Sequence, residues 1–224
     1  RYGSRCPICL EEWDVNATHV FRVCCCRKVC QSCEDKIGNE CPLCRLPRAK
    51  DHAELLAQLR RHVENEVPEA ITCLGDAYRC GLMGLVKSDK KAAKIYRRAA
   101  ELGDVEAMVF LAAMHGDGVG VKLDKKKAER LYRVAADRGD AIAQDKLGCL
   151  LLLDSAEKHE EAFRYCVLAA DQGHTFGETN LGICYKYGAG TEVDLDKARY
   201  WFERAAAKGH EKAIENLARL DARA

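Results

Sequence analysis

Four phrases in this chain are versions of one another. "YRRAAELGD", "YRVAADRGD", "YCVLAADQGH" and "WFERAAAKGH" place Gly103, Gly139, Gly173 and Gly209 at intervals of 36, 34 and 36 residues. Ahead of them recur "CLGDAY", "FLAAMH", "KLGCLL" and "NLGICY", which hold Leu74, Leu111, Leu147 and Leu181 in register. A period of about 35 residues means stacked helix pairs. One pair cannot bury its apolar face alone, so the pattern predicts an all-α solenoid of helix-turn-helix units. The units fall at 68–104, 105–140, 141–174 and 175–210, with a partial fifth at 211–224.

The residues between these landmarks describe each unit. In the second, a first helix from about Val105 to His115 runs into "HGDGVGV", where Gly116, Gly118 and Gly120 permit a sharp left-handed turn. Asp124 then offers a side-chain acceptor to the next helix N-terminus, and Gly139 closes that helix. The fourth unit repeats the scheme with Gly188, Gly190 and Asp196, whereas "LLLLDSAEKHEEAFRY" in the third lacks the glycine turn. Ala135, Ala136, Gly75 and Gly148 are small enough for facing helices to approach closely. Cys73, Cys80, Cys149, Cys166 and Cys184 lie on the helical pattern and read as small buried hydrophobes. His115, His174 and His210 sit at helix ends, suited to capping or dipole interactions rather than metal binding. This stretch resembles Sel-one-like repeats, a subclass of tetratricopeptide-type solenoids, which implies a surface that binds proteins or peptides.

Upstream, "AKDHAELLAQLRRHVENEVPEA" predicts a linking helix within residues 51–67, from about Asp51 to Glu66. Leu56, Leu59 and Val63 form one apolar stripe, suited to capping the first repeat or, alternatively, to dimerisation.

Residues 1–50 are of another kind. Nine of the 14 cysteines fall between Cys6 and Cys44. They include the pairs Cys6-x-x-Cys9, Cys30-x-x-Cys33 and Cys41-x-x-Cys44 and the run Cys24-Cys25-Cys26. A two-residue gap aims both thiolates of a tight turn at one ion, and zinc wants four such ligands in a tetrahedron. Eight ligands make two closed sites. A segment this short cannot stabilise itself by burial, whereas each structural zinc contributes about 10–16 kcal/mol of apparent folding free energy. Buried or disulfide-bonded cysteines are the alternative, disfavoured by three such pairs so close together.

"CPICLEEW", "CCCRKVCQSC" and "CPLCRLP" together resemble the RING finger family. The resemblance implies interleaved ligation of two Zn2+ ions. One would take Cys6, Cys9, Cys30 and Cys33; the other would take Cys41, Cys44 and two of Cys24, Cys25 and Cys26. The histidine usual in the second pair is absent, and Arg27 stands at its position. If Cys24 to Cys30 run along a hairpin strand, parity favours Cys25 over Cys26, because Cys30 serves the other ion. Family members that keep only the first two cysteines of such a run point to Cys24 and Cys25. Cys26 is then a spare thiol or replaces one of them.

The same resemblance implies a ubiquitin ligase of RING type, a transferase that forms no covalent intermediate and has no catalytic residue of its own. It docks a ubiquitin-charged conjugating enzyme and gains rate by restricting a reactive thioester. The docking positions would be Ile8, Ile37, Pro42, Leu43 and Arg45, with a protein substrate or adaptor on the repeats. Ile8 and Ile37 packing between zinc lobes, and Arg45 as a solvated charge, is the plainer reading of each. A zinc-stabilised interaction scaffold that transfers nothing is the alternative function, and a redox sensor built on Cys26 is a weaker third. This hairpin, the linking helix and the repeats together resemble a family of RING proteins carrying such repeats.

Charge and composition set limits. Residues 1–50 hold nine basic and six acidic side chains, and the remainder holds 27 and 29, so neither part points to nucleic acid. No apolar run approaches a membrane span. Clustered thiols beside isolated ones suggest a reducing compartment, cytoplasmic or nuclear. The chain begins at Arg1 rather than Met, which reads as an excerpt with any targeting segment outside it.

Overall fold

A computed structural model describes residues 19–22, 27–30 and 49–222. The first two segments are an antiparallel pair, β1 (His19–Arg22) and β2 (Arg27–Cys30), with His19 opposite Cys30 and Arg22 opposite Arg27. Beyond residue 48 the described chain is an all-α solenoid of helical repeats. Its helices are α1 (His52–Glu64), α2 (Pro68–Cys80), α3 (Asp89–Glu101), α4 (Val105–Asp117) and α5 (Lys125–Asp137). They continue with α6 (Ala141–Asp154), α7 (His159–Asp171), α8 (Thr175–Tyr187), α9 (Leu195–Ala207) and α10 (Glu211–Asp221). The chain divides into two compact units, residues 1–128 and 129–224, described in turn.

In the first unit α1 starts where Asp51 accepts the Glu54 N–H at 2.8 Å, while the Glu54 carboxylate accepts the Lys50 N–H at 2.8 Å. Two donors that the helix itself cannot satisfy are thereby paired. Leu59 is fully buried against Ala70 of α2, with Leu55, Val63, Val67, Cys73, Leu74 and Met83 around them. Pro68 opens α2, where its missing N–H costs nothing. Tyr96 of α3 lies fully buried beneath Gly75 of α2; a Cβ on Gly75 would stand 2.5 Å from its ring. Asp104 caps α4 through the Ala107 N–H at 2.7 Å, and Asp124 caps α5 through the Lys127 N–H at 2.9 Å.

The second unit repeats these devices with variations. Gly182 of α8 faces the buried Phe202 of α9, as Gly75 faces Tyr96. In the third repeat the corresponding pair is Gly148 and Cys166, where a Cβ would come 3.0 Å from the sulfur. The glycine turn is absent there: α6 ends at an extended Ser155, and a 3-10 turn over Ala156–Lys158 leads into α7. In the fourth repeat Gly190 presses on the His159 carbonyl, a contact that leaves no room for a side chain.

Three local expectations are corrected. The N-cap of α9 is Asp194, which accepts the Lys197 N–H at 2.9 Å; Asp196 sits in the first helical turn. The helix α4 runs two residues further than His115, to Asp117. Of the five scattered cysteines, Cys166 and Cys184 are buried, Cys73 and Cys149 half-buried and Cys80 exposed, because Cys80 ends α2 beside the turn glycine Gly81.

Candidate protein-interaction surface

The first helix of each repeat is here termed its A helix, the second its B helix. Along the A helices polar side chains stand where the apolar period breaks, and they bond to neighbouring helices. In the first unit the Tyr96 hydroxyl donates to Asp76 Oδ1 at 2.7 Å, and Arg79 Nε donates to the same hydroxyl at 3.2 Å. Arg79 also lies 5.2 Å over the ring of Phe110, which itself stacks on Tyr96 at 5.2 Å. Burial, then the carboxylate of Asp76, push the Tyr96 phenol far above its ordinary range, so it stays a donor. Thr72 Oγ1 donates to Asp104 at 2.9 Å, tying α2 to the cap of α4.

The second unit carries a denser set. Asp145 on α6 is 1% exposed and accepts from Asn180 Nδ2 on α8 at 2.7 Å, while Lys146 Nζ lies 3.8 Å away. Burial raises the Asp145 pKa, opposed by His174, Lys146 and Asn180. Burial lowers that of His174, opposed by Asp145. A neutral imidazole suits the position, because His174 Nδ1 accepts the Gly177 N–H at 3.3 Å as the N-cap of α8. His210 opens α10 without capping it. Its Nδ1 lies 2.8 Å from Thr179 Oγ1, whose own hydrogen is committed to the Thr175 carbonyl at 3.0 Å. The ring therefore donates there. His115, in the last turn of α4, is buried with Nδ1 3.3 Å from the Lys122 carbonyl.

Above this layer stand groups with free faces. Phe176 is 51% exposed, its ring edge-on to His210 at 4.7 Å and 5.6 Å from the Lys146 ammonium. Tyr187 is 64% exposed beside Lys186, whose ammonium donates to Asn216 Oδ1 at 3.0 Å. Underneath, the buried carboxylate of Glu178 is held by Arg204 and Lys208, each at 3.0 Å.

Burial raises the Cys149 thiol to about 11 and the Cys73 thiol to about 12, so both stay protonated near neutrality. Among the described residues no group of three or more His, Cys, Asp or Glu side chains is placed to hold a metal ion.

The N-terminal positions singled out in the sequence, Cys6, Cys9, Cys24, Cys25, Cys33, Cys41 and Cys44 with Ile8, Ile37, Pro42, Leu43 and Arg45, lie outside the described residues. Cys30 is described as the last backbone position of β2. That strand is described only from Arg27, so the parity argument that favours Cys25 over Cys26 has no strand to act on among the described residues. The sequence reading missed Asp145, Asn180 and Glu178. The one available signal was a charged or amide residue interrupting an apolar helix face.

Helix pairs with small residues at the crossing, glycine-closed turns and this periodic register define a tetratricopeptide-type solenoid. The model of the Sel1 repeat matches residues 68–104, 105–140, 141–174 and 176–210, more than half of the chain, and the chain belongs to that family. Among solved structures it is similar to a protective antigen of uropathogenic Escherichia coli with an SLR fold. The identity is 29% and the TM-score 0.73, covering 78% of this chain and 38% of that one. It is also similar to a Sel1 repeat protein from Oxalobacter formigenes, at 26% identity and a TM-score of 0.65, covering 74% and 68%. Among curated proteins it is similar to the chitin synthase regulator SKT5 of Saccharomyces cerevisiae, 32% identical over 66% of this chain and 22% of the relative. It is similar as well to the mouse DAP3-binding cell death enhancer 1, 37% identical over 35% of this chain and 15% of the relative. The chain thus spans less than a quarter of the length of either.

Proposed function

We propose that this chain is a protein-interaction scaffold whose repeats hold a partner protein on the A-helix face. The observation that carries the reading is the exposure of Phe176 and Tyr187, each beside a lysine, above a polar layer whose bonds are already made internally. Aromatic side chains of this kind dominate binding energy at protein interfaces. The names of two relatives fit: one regulates chitin synthase and the other binds DAP3. A photo-reactive phenylalanine analogue at position 176 or 187 should crosslink the partner, and the same analogue at Val134, exposed on the B helix α5, should not. Equal crosslinking from all three positions would remove the A-helix face from the account.

The cysteine spacing favours a finer, second reading: a RING-type ubiquitin ligase. Eight thiolates from Cys6, Cys9, Cys24, Cys25, Cys30, Cys33, Cys41 and Cys44 suit two closed zinc sites. Ile8, Ile37, Pro42, Leu43 and Arg45 would then dock a ubiquitin-charged conjugating enzyme while the repeats hold the substrate or an adaptor. Unpaired Cys73, Cys80, Cys149, Cys166 and Cys184 are compatible with the reducing compartment, cytoplasmic or nuclear, in which such an enzyme works. Purified protein should contain two zinc ions per chain and speed discharge of the charged enzyme to free lysine, and Ile8→Ala should abolish the discharge. Two zinc ions without discharge across a broad panel of conjugating enzymes leaves the scaffold alone.

A further inference from the structure

Two turns of the first unit carry a surface that the protein-binding reading does not use. One joins α2 to α3 and the other joins α4 to α5, and they close alike. The Ser88 N–H donates to the Tyr78 carbonyl at 2.8 Å, and the Asp124 N–H to the His115 carbonyl at 2.8 Å. The second turn lies against the first: a Cβ on Gly120 would stand 2.5 Å from the Asp89 carbonyl. Their tips bear aliphatic side chains in water, Leu82 and Val86 on one and Val119 and Leu123 on the other, Val86 at 85% exposure.

Lysines surround these tips. Residues 82–94 and 119–127 hold eight lysines and two aspartates. Asp124 is committed to capping α5, and Asp89 lies beneath the Gly120 turn. Lys87, Lys90, Lys91, Lys122, Lys125 and Lys126 are exposed, and none forms an ion pair among the described residues. The corresponding turns of the second unit also have exposed aliphatic tips, Leu153, Val193 and Leu195. Their charge is opposite: residues 154–161 and 192–197 hold seven acidic side chains and two lysines. Apolar tips recur through the repeats, and among the described turns the first two combine them with lysines that form no ion pair.

We infer that this double turn docks the chain peripherally on an anionic lipid surface. The tips would enter the headgroup boundary and the lysines would meet the lipid charge. An acidic protein segment without apolar side chains would satisfy the lysines and leave the aliphatic tips in water. An anionic bilayer takes both, with charge outside and hydrocarbon beneath. The attachment is to one leaflet, since no described helix is long and apolar enough to cross a membrane.

The test is co-sedimentation of the full chain with phosphatidylcholine vesicles, with and without phosphatidylserine. Binding should require phosphatidylserine, weaken with added salt, and fall about fivefold for each of K90A and K126A. Val86→Ser, which changes no charge, should weaken it about tenfold. Lys212→Ala, an exposed lysine on α10, should leave it unchanged. All four positions are exposed, and circular dichroism checks that each variant folds. No binding, or equal binding to both vesicles, overturns the inference. So does phosphatidylserine-dependent binding that is indifferent to Val86→Ser, which would assign the lysines to an acidic macromolecule.

Discussion

The absence of one methyl group sets how closely α8 and α9 approach. A Cβ on Gly182 would lie 2.6 Å from the Phe202 ring, inside any real van der Waals contact, and Phe202 is fully buried with nowhere to retreat. Gly182→Ala should therefore cost about 1–3 kcal/mol, as overpacked cores do, read as a lowered urea midpoint. His174 makes a second prediction at this scale. Burial lowers its pKa below 6.5 in the folded chain, against the pull of Asp145. A depressed folded value means the neutral ring's contribution is complete above pH 6.5 and is lost as the pH falls through the folded value. Urea midpoints should thus drop on acidification below pH 6.5. His174→Asn, which keeps an acceptor for the Gly177 N–H but does not titrate, should lose that part of the drop.

At the scale of elements, the caps give the sharpest test. Asp194→Ala should lower the thermal unfolding midpoint by removing the acceptor for the Lys197 N–H, whereas Asp196→Ala should leave it nearly unchanged. The repeat register was legible because glycine and alanine recur where backbones must turn or touch. The choice between two aspartates was not, since either side chain can cap and only the extended backbone at Asp194 decides. Cys80 misled because its stripe looks apolar. Its equivalents one, two and three repeats on, Asp117, Leu153 and Tyr187, are exposed as well, and that comparison was available in the sequence. Asp145 and Glu178 were not legible as buried groups: a pattern of polarity sends charges to solvent, and their partners Asn180 and Arg204 lie 35 and 26 residues away. The fold was readable, then, from periodicity, while the polar layer of the candidate surface depends on contacts between repeats that no local window contains.

For the whole molecule, the repeats give a rigid reason for a binding role. Asp76, Asp145 and Glu178 of the A helices are held by neighbouring side chains, and the rings of Phe176 and Tyr187 remain exposed to meet a partner. Under the proposed RING reading, the N-terminal cysteine pairs would add a second docking module to the same chain. The scaffold claim is tested most directly by titration calorimetry of the full chain with a partner crosslinked at position 176. Phe176→Ala should weaken that affinity at least about tenfold, as truncation of an interface anchor does, with Val134→Ala unchanged. An affinity indifferent to Phe176→Ala and Tyr187→Ala would contradict the account.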